Sequence, residues 1–537
     1  MEIIDILIFV GYMVAVLSVG VYFMRQNTSS DDYYVGGRKM NSLHIGLSVV
    51  ATDVGGGFSI GLGGLGFIMG ISGSWMLFTG LVGAWLAAVF LIPKVKSNPA
   101  FAEFLTFPDI FQHYYGKQVA LLAGIISAVG YAGFTSSQIL AGAKLAHGTF
   151  PALGLESALI VMGLVAVIYT AMGGIKAVIY TDTVQWAILM FGLIFIGIPV
   201  AYNAVGGWEG MQQVVRPEML DLTHVRWNRI VDWSVTIIPI WFVGMTLYQR
   251  IYACRDEATA RRAWFFAGLL EYPLMAFMGV ALGLLARVAA DQGILPGISD
   301  PEQVDPETGL PILLRTLLPA GLKGILLAAY FSAILSTADS CMMASSGNIV
   351  SDIIGRFRKK RLDPNTQLRL SQWATLIIGS LALLLAWRMT NVLDLMLYSY
   401  AFMVSGLLVP ILGALFWKKS HPKAALAAML LGGGLTLCLQ LGQVQAQSTQ
   451  SMEQLQEAAW VTAQHFDSLD YEQLKQLEKK DLLEHISSYL NNNRIISLDF
   501  LNWSFVLPLD LDANFYGLTF ATIIFICLSL ILPKKPA

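Results

Sequence analysis

Residues 48–61 read SVVATDVGGGFSIG, an apolar run that carries an acid, Asp53, and three consecutive glycines, Gly55 to Gly57. Each glycine weakens a helix by about 1 kcal/mol relative to alanine. A carboxylate in hydrocarbon costs roughly 2.5–3.5 kcal/mol. A charge beside a helix breaker at membrane depth is tolerated where the freed backbone groups face protein or a watery cavity. The stretch therefore predicts an interrupted helix that offers the carbonyls of Ala51 and Val54 to something positive. The competing reading is close helix packing by the glycines, with Asp53 paired to a neighbour.

Composition sets the environment. The 537 residues are 55% hydrophobic and 13% charged, with a mean hydropathy of +0.62, against about 25% charged in soluble domains. The formal net charge of −2 gives no electrostatic case for nucleic acid. Cys254, Cys341, Cys438 and Cys527 show no C-x-x-C spacing, and the histidines are scattered, so no metal-ligand set emerges. No Walker-type phosphate loop is present, and no nucleophile–base set marks an enzyme.

Windows long and apolar enough to span a bilayer fall at 4–24, 44–69, 74–93, 119–145, 155–172, 183–203, 231–251, 263–288, 321–347, 369–388, 392–417, 423–442 and 513–532. The expected fold is an all-α integral membrane protein of thirteen transmembrane helices. The first window has an acidic flank, Glu2 and Asp5, and Arg25 follows it, so it reads as a span with its N-terminus outside. Most other basic residues cluster on the same side as Arg25, including Arg38, Lys94, Lys176, Arg250, Arg255, Arg356, Arg358, Lys359, Lys360, Arg361, Lys418, Lys534 and Lys535. That bias puts this side and the C-terminus in the cytoplasm. Lys144 and His147, near the outer end of the fourth window, are expected to snorkel to the interface. Residues 443–512 are the one sizeable polar segment. Leu474, Leu477, Leu482, Leu483 and Ile486 at near-helical spacing predict short amphipathic helices there, a solvated external cap or, alternatively, a partner-docking element.

Two more stretches carry unusual polarity. YFSAILSTADSCMMASSGNIVSD, residues 330–352, packs Ser336, Thr337, Asp339 and Ser340 into an apolar helix. Hard cations take oxygen ligands, although hydroxyls in such helices also bond back to carbonyls one turn earlier. Asp352 reads as part of a cytoplasmic turn. YTAMGGIKAVIYTDTVQ, residues 169–185, is a glycine turn followed by Asp182 and Gln185, where Asp182 suits either a helix cap or a site. Glu271, inside the eighth window and before Pro273, reads as a buried, hydrogen-bonded structural acid.

The ordered motifs A-T-D-V-G-G-G, GG-x-x-A-V-x-Y-T-D-x-x-Q and A-x-x-S-T-x-x-S, with YYVGGRKM at 33–40, resemble the sodium:solute symporter family over about residues 5–430. The resemblance implies a LeuT-type fold with inverted repeats. Residues 1–43 would hold the first helix and a loop, 44–228 repeat 1 and 229–417 repeat 2. Helix 12 would fall in 418–442, the external polar segment in 443–512, and the last helix and tail in 513–537. It implies a principal sodium site on the carbonyls of Ala51, Val54 and Ala333 and the hydroxyls of Ser336 and Thr337. It further implies a second sodium near Asp182, Asp339 and Ser340, with a carboxylate where some relatives have a hydroxyl.

The solute would lie beside the break, near Asp53, Gly56, Phe58, Trp241, Phe242 and Met245. Asp53 matches an aspartate of proline carriers. Glucose carriers have asparagine there and a histidine at the position of Phe58, and choline carriers have tryptophan at the position of Asp53. The lean is towards an amino acid or other zwitterion. The alternatives are a sugar or carboxylate symporter, a proton-coupled carrier and a membrane solute sensor. The implied setting is a lipid bilayer, in all expectation a bacterial inner membrane.

Overall fold

The computed structural model describes residues 2–24, 34–173, 175–298, 300–302, 304–357, 363–443, 452–466, 471–490, 494–498 and 503–533. Arg25, Gly174, Arg358, Lys359, Lys360, Arg361, Lys534 and Lys535, used above, lie outside them, as do the side chains of Val54, Phe58 and Lys176. The long helices are α1 (Ile3–Met24), α2 (Ser42–Met69), α3 (Trp75–Leu86, running on to Lys96), α4 (Lys117–Thr149), α5 (Leu155–Gly173) and α6 (Ile175–Gly192, running on to Ala204). They continue as α7 (Trp227–Val243 with Met245–Ala253), α8 (Glu257–Leu269 with Ala276–Asp291) and α9 (Leu322–Gly347, running on to Phe357). Then follow α10 (Pro364–Arg388), α11 (Val392–Phe416), α12 (Pro422–Leu441) and α13 (Ala513–Ile531). Among the described residues nine helices, or ten counting the bent α7 as one span, are long and apolar enough to cross a membrane. α1 and α5 contribute only shorter apolar stretches, Ile3–Val16 and Leu155–Ile168.

Two four-helix groups organise the centre. In one, α8 packs on α2 and α3, and α7 packs on α3; in the other, α4, α5, α9 and α10 pack on one another. Each group draws two helices from residues 44–228 and two from 229–417. The groups meet where α2 packs on α4 and α9.

Three backbone irregularities sit in the first group. α2 breaks at Gly55 (φ 32, ψ −163), and α7 bends by 42° at Gly244 (φ −67, ψ 112). α8 loosens over Leu270–Met275, where Tyr272 is extended (φ −135, ψ 126). Only the first was expected.

The polar segment corrects the all-α expectation. Helices Met452–Phe466, Tyr471–Leu474 and Lys479–Leu490 form a small core around Leu455, Leu474, Leu482 and Ile486. They are followed by an antiparallel hairpin, β1 (Arg494–Leu498) with β2 (Trp503–Leu507). RIISL and WSFVL are short and β-branched or aromatic, which suits a pleated ladder. Arg494 bonds Asp232 of α7 at 2.8 Å, so the hairpin is moored to the helical body.

Lys144 does not snorkel. It is 1% exposed and pairs at 2.6 Å with both Glu307 and Asp305. Glu307 also accepts the Val392 and Leu393 amides at 2.9 and 3.0 Å, at the start of α11. Carboxylates are favoured at helix N-termini. Removing one member of a buried pair strands the other, at about 3–5 kcal/mol. Lys144→Ala should therefore lower the thermal stability of the purified protein sharply. A melting temperature equal to wild type would show that the pair contributes nothing.

Candidate cation and solute site

The break in α2 and the hydroxyl cluster of α9 lie against each other. Thr337 Oγ1 is 3.0 Å from the Ala51 carbonyl and 3.2 Å from that of Ala333. A Cβ on Gly55 would come within 2.7 Å of the Thr337 side chain. Three of the expected sodium ligands thus meet at one point. The α9 residues are there because α9 is buried almost throughout and is, with α4, where its group packs on α2. Ser336, one residue away, donates its O–H to Asp182 Oδ1. With the proton committed to the acid, the hydroxyl's lone pairs remain for a cation. Two carbonyls and two hydroxyls offer a hard cation neutral oxygens, at low cost for releasing it. Val54 lies in the same helix turn.

Asp182 is no helix cap. It is buried within α6, accepts Ser48 Oγ at 2.5 Å as well as Ser336, and its Oδ2 lies 3.7 Å from Arg250 Nη2. Arg250 corrects the loop assignment made from charge. It is fully buried on the C-terminal half of α7 and reaches Ser48 Oγ (3.0 Å), Ser340 Oγ (3.1 Å), Thr52 Oγ1 and the Thr246 carbonyl (3.1 Å). A guanidinium holds five donors in a rigid fork, and here four acceptors of three helices surround it. Of the residues proposed for a second ion, Asp182 and Ser340 thus face Arg250. Asp339 instead accepts Thr170 Oγ1 of α5.

The expected solute residues divide. Asp53 is 4% exposed, and its Oδ2 has no hydrogen-bond partner. Trp241 is buried against Gly83 of α3, and its Nε1–H is likewise unpartnered. Gly56 turns elsewhere: its N–H donates to Gln138 Oε1 at 2.8 Å, and Ile334 and Ala141 close on it. Met245 Sδ accepts the Phe107 amide at 3.2 Å, pointing away from the break. Phe242 lines an apolar cavity of about 270 Å³ with Leu86, Phe90, Leu412 and Phe416. Glu271, read as a buried acid, is fully buried and lies beside Asp53, and apart from that neighbour its carboxyl oxygens have no hydrogen-bond partner among the described residues.

The helix ends around Asp352 are closely tied. Asp352, expected in an exposed turn, is fully buried and binds Thr106 Oγ1 at 2.9 Å and Arg356 at 2.5 Å. Arg356 also reaches Asp109 at 3.3 Å, and Lys96 Nζ donates to the Tyr252 carbonyl at 3.1 Å.

Comparison with known proteins agrees with this geometry. The model of the sodium:solute symporter family matches residues 33–432. The osmoregulated proline transporter OpuE of Bacillus subtilis is 28% identical, over 81% of this chain and 88% of its own length. The sodium/pantothenate symporter of Escherichia coli is 27% identical, over 80% and 89%. The solved outward-open, substrate-bound structure of a Na+-coupled sialic acid symporter superposes with a TM-score of 0.71 at 20% identity, covering 99% of each chain. The chain belongs to the sodium:solute symporter family and is built on its LeuT-type fold.

Proposed function

We propose that the protein imports a small organic solute, an amino acid or related nitrogen compound, together with sodium by alternating access. The sodium would bind Ala51, Val54, Ala333, Ser336 and Thr337. The observation that carries this is the contact of Thr337 Oγ1 with the Ala51 and Ala333 carbonyls across the α2 break. Sodium entering there would tie α2 to α9 and hold the outward-facing arrangement until the solute arrives. Rocking of the α2, α3, α7 and α8 group against the other then opens the inner side. Asp53 and Trp241 would face the solute. A potential near 100 mV supplies about 2.3 kcal/mol per charge, and a tenfold sodium gradient about 1.4 kcal/mol. Together these sustain roughly 500-fold accumulation for one ion.

The ion count we assign is one, because the guanidinium of Arg250 stands among the oxygens that a second ion would use. Thirteen spans, the N-terminus outside and a bacterial inner membrane complete the reading. α2 and α3 share the long apolar run Ser59–Lys96, while α1 and α5 are spans with short apolar centres.

Thr337→Ala should raise the sodium concentration for half-maximal uptake into vesicles by about tenfold or more, the equivalent of ~1.4 kcal/mol. An unchanged sodium dependence would remove α9 from the site. Full uptake with sodium replaced by choline at fixed pH would favour a proton-coupled carrier instead.

A further inference from the structure

The α2 break, the loosened turn of α8 and a glycine face of α3 bring two acids and two aromatic residues together. Asp53 lies just before the α2 break, and Glu271 comes from the loosened turn of α8. The two carboxyls are neighbours, and the Tyr400 hydroxyl of α11 faces Asp53. Glu271 Oε2 rests against Gly80 of α3, where an added Cβ would come within 2.0 Å of it. One turn along α3, Gly83 receives the Trp241 ring, at 2.3 Å from the same kind of Cβ. Asp53, Glu271, Trp241 and Tyr400 therefore converge on one layer of the protein.

What is missing there is a counter-charge. Asp53 Oδ2 and both oxygens of Glu271 are buried and, apart from the contact between the two acids, have no hydrogen-bond partner among the described residues. The nearby guanidinium, Arg250, is committed to Asp182 and the hydroxyls of α2 and α9. Two adjacent carboxyls in a low-dielectric layer either share one proton or are joined by something positive, and unpaired buried charge is strongly penalised. The solute is the component of the cycle that enters this layer. The three unpartnered carboxyl oxygens equal in number the three N–H donors of a primary ammonium. An alkali ion would need more oxygens than these, and aromatic side chains such as Trp241 and Tyr400 suit an organic cation.

We propose that Asp53 and Glu271 together form a subsite for a primary ammonium group, so that the solute is an N–H-bearing amine rather than a quaternary or uncharged one. This rests on the symporter reading above and narrows its substrate.

The experiment is a thermal-shift titration of the purified protein in sodium and in potassium, with matched probes. Glycine, 4-aminobutyrate, L-lysine and putrescine are each compared with the analogue trimethylated at nitrogen. At least one primary amine should stabilise the protein in sodium, and its trimethylated partner should not. Glu271→Gln should weaken that amine about tenfold or more while leaving the stabilisation by sodium alone intact. That sodium response also shows that the variant is folded. Equal binding of a trimethylated partner, unchanged amine affinity in Glu271→Gln, or no response to any primary amine would overturn the proposal. Loss of the sodium-only response in the wild type would instead strike the sodium site, so the two failures are distinct.

Discussion

Gly55→Ala is expected to abolish sodium-dependent uptake while leaving the helical content of the protein intact. The backbone at Gly55 has φ 32 and ψ −163, a region that L side chains rarely adopt. Holding alanine in such a conformation costs about 1–3 kcal/mol. The added methyl would also stand within 2.7 Å of Thr337 Oγ1 and Cγ2. The chain has two ways to relieve this. It can straighten α2, which withdraws the Ala51 carbonyl into the helix ladder, or it can push Thr337 away from that carbonyl. Either one dismantles the junction on which the cation site depends. The sodium concentration for half-maximal thermal stabilisation should rise at least about a hundredfold, or ~2.7 kcal/mol. Gly434→Ala is the matched control: it lies in α12 with nothing within 4 Å of the added methyl, and should leave transport and sodium response unchanged. A Gly55→Ala protein with wild-type sodium response would mean that the break does not serve an ion.

The reading of α2 succeeded because two costly features coincide there, an acid and a run of glycines. The α9 cluster was visible for a similar reason, since hydroxyls and an acid interrupt an apolar helix within five positions. The other two irregularities carry no such signal. Gly244 is a lone glycine in an apolar run, which reads as packing, and its φ of −67 is open to any residue. Tyr272 is extended because Pro273 follows it and disfavours helical backbone at the preceding residue, but a single proline in an apolar run reads as an ordinary kink. Arg250 misled for a physical reason. A basic residue near the end of an apolar window ordinarily snorkels, and only its partners on α2, α6 and α9 make burial affordable. Lys144 and Glu307 pose the same problem, since each is interpretable only beside the other. Side-chain direction was equally hidden: Trp241, Phe242 and Met245 are near neighbours in sequence, yet they face α3, an apolar cavity and the Phe107 amide.

Arg250→Gln should cost both transport and stability, and the way in which the two recover separates its roles. The guanidinium lies on the C-terminal half of α7, with Ser48 and Thr52 on the N-terminal half of α2, Ser340 on α9 and Asp182 on α6. It therefore joins the α2 and α7 group to α6 and α9 beside the proposed cation site. Ser336 would link this cluster to the proposed cation site, because its O–H is held by Asp182 while its lone pairs would serve the ion. Without Arg250, Asp182 remains buried and uncompensated, a loss of about 3–5 kcal/mol. The double variant Arg250→Gln with Asp182→Asn removes both charges and should regain most of the melting temperature, since a buried pair can be replaced at little net cost. Transport should stay lost, because nothing then holds these halves of α2 and α7 to α6 or fixes the Ser336 hydroxyl. Arg250→Gln alone also uncovers Asp182 and Ser340 oxygens to any free cation. Radioactive sodium binding to the purified protein should accordingly rise from one ion per wild-type chain to two. Two ions bound to the wild type, or a double variant no more stable than the single, would show that the guanidinium neither replaces an ion nor balances Asp182.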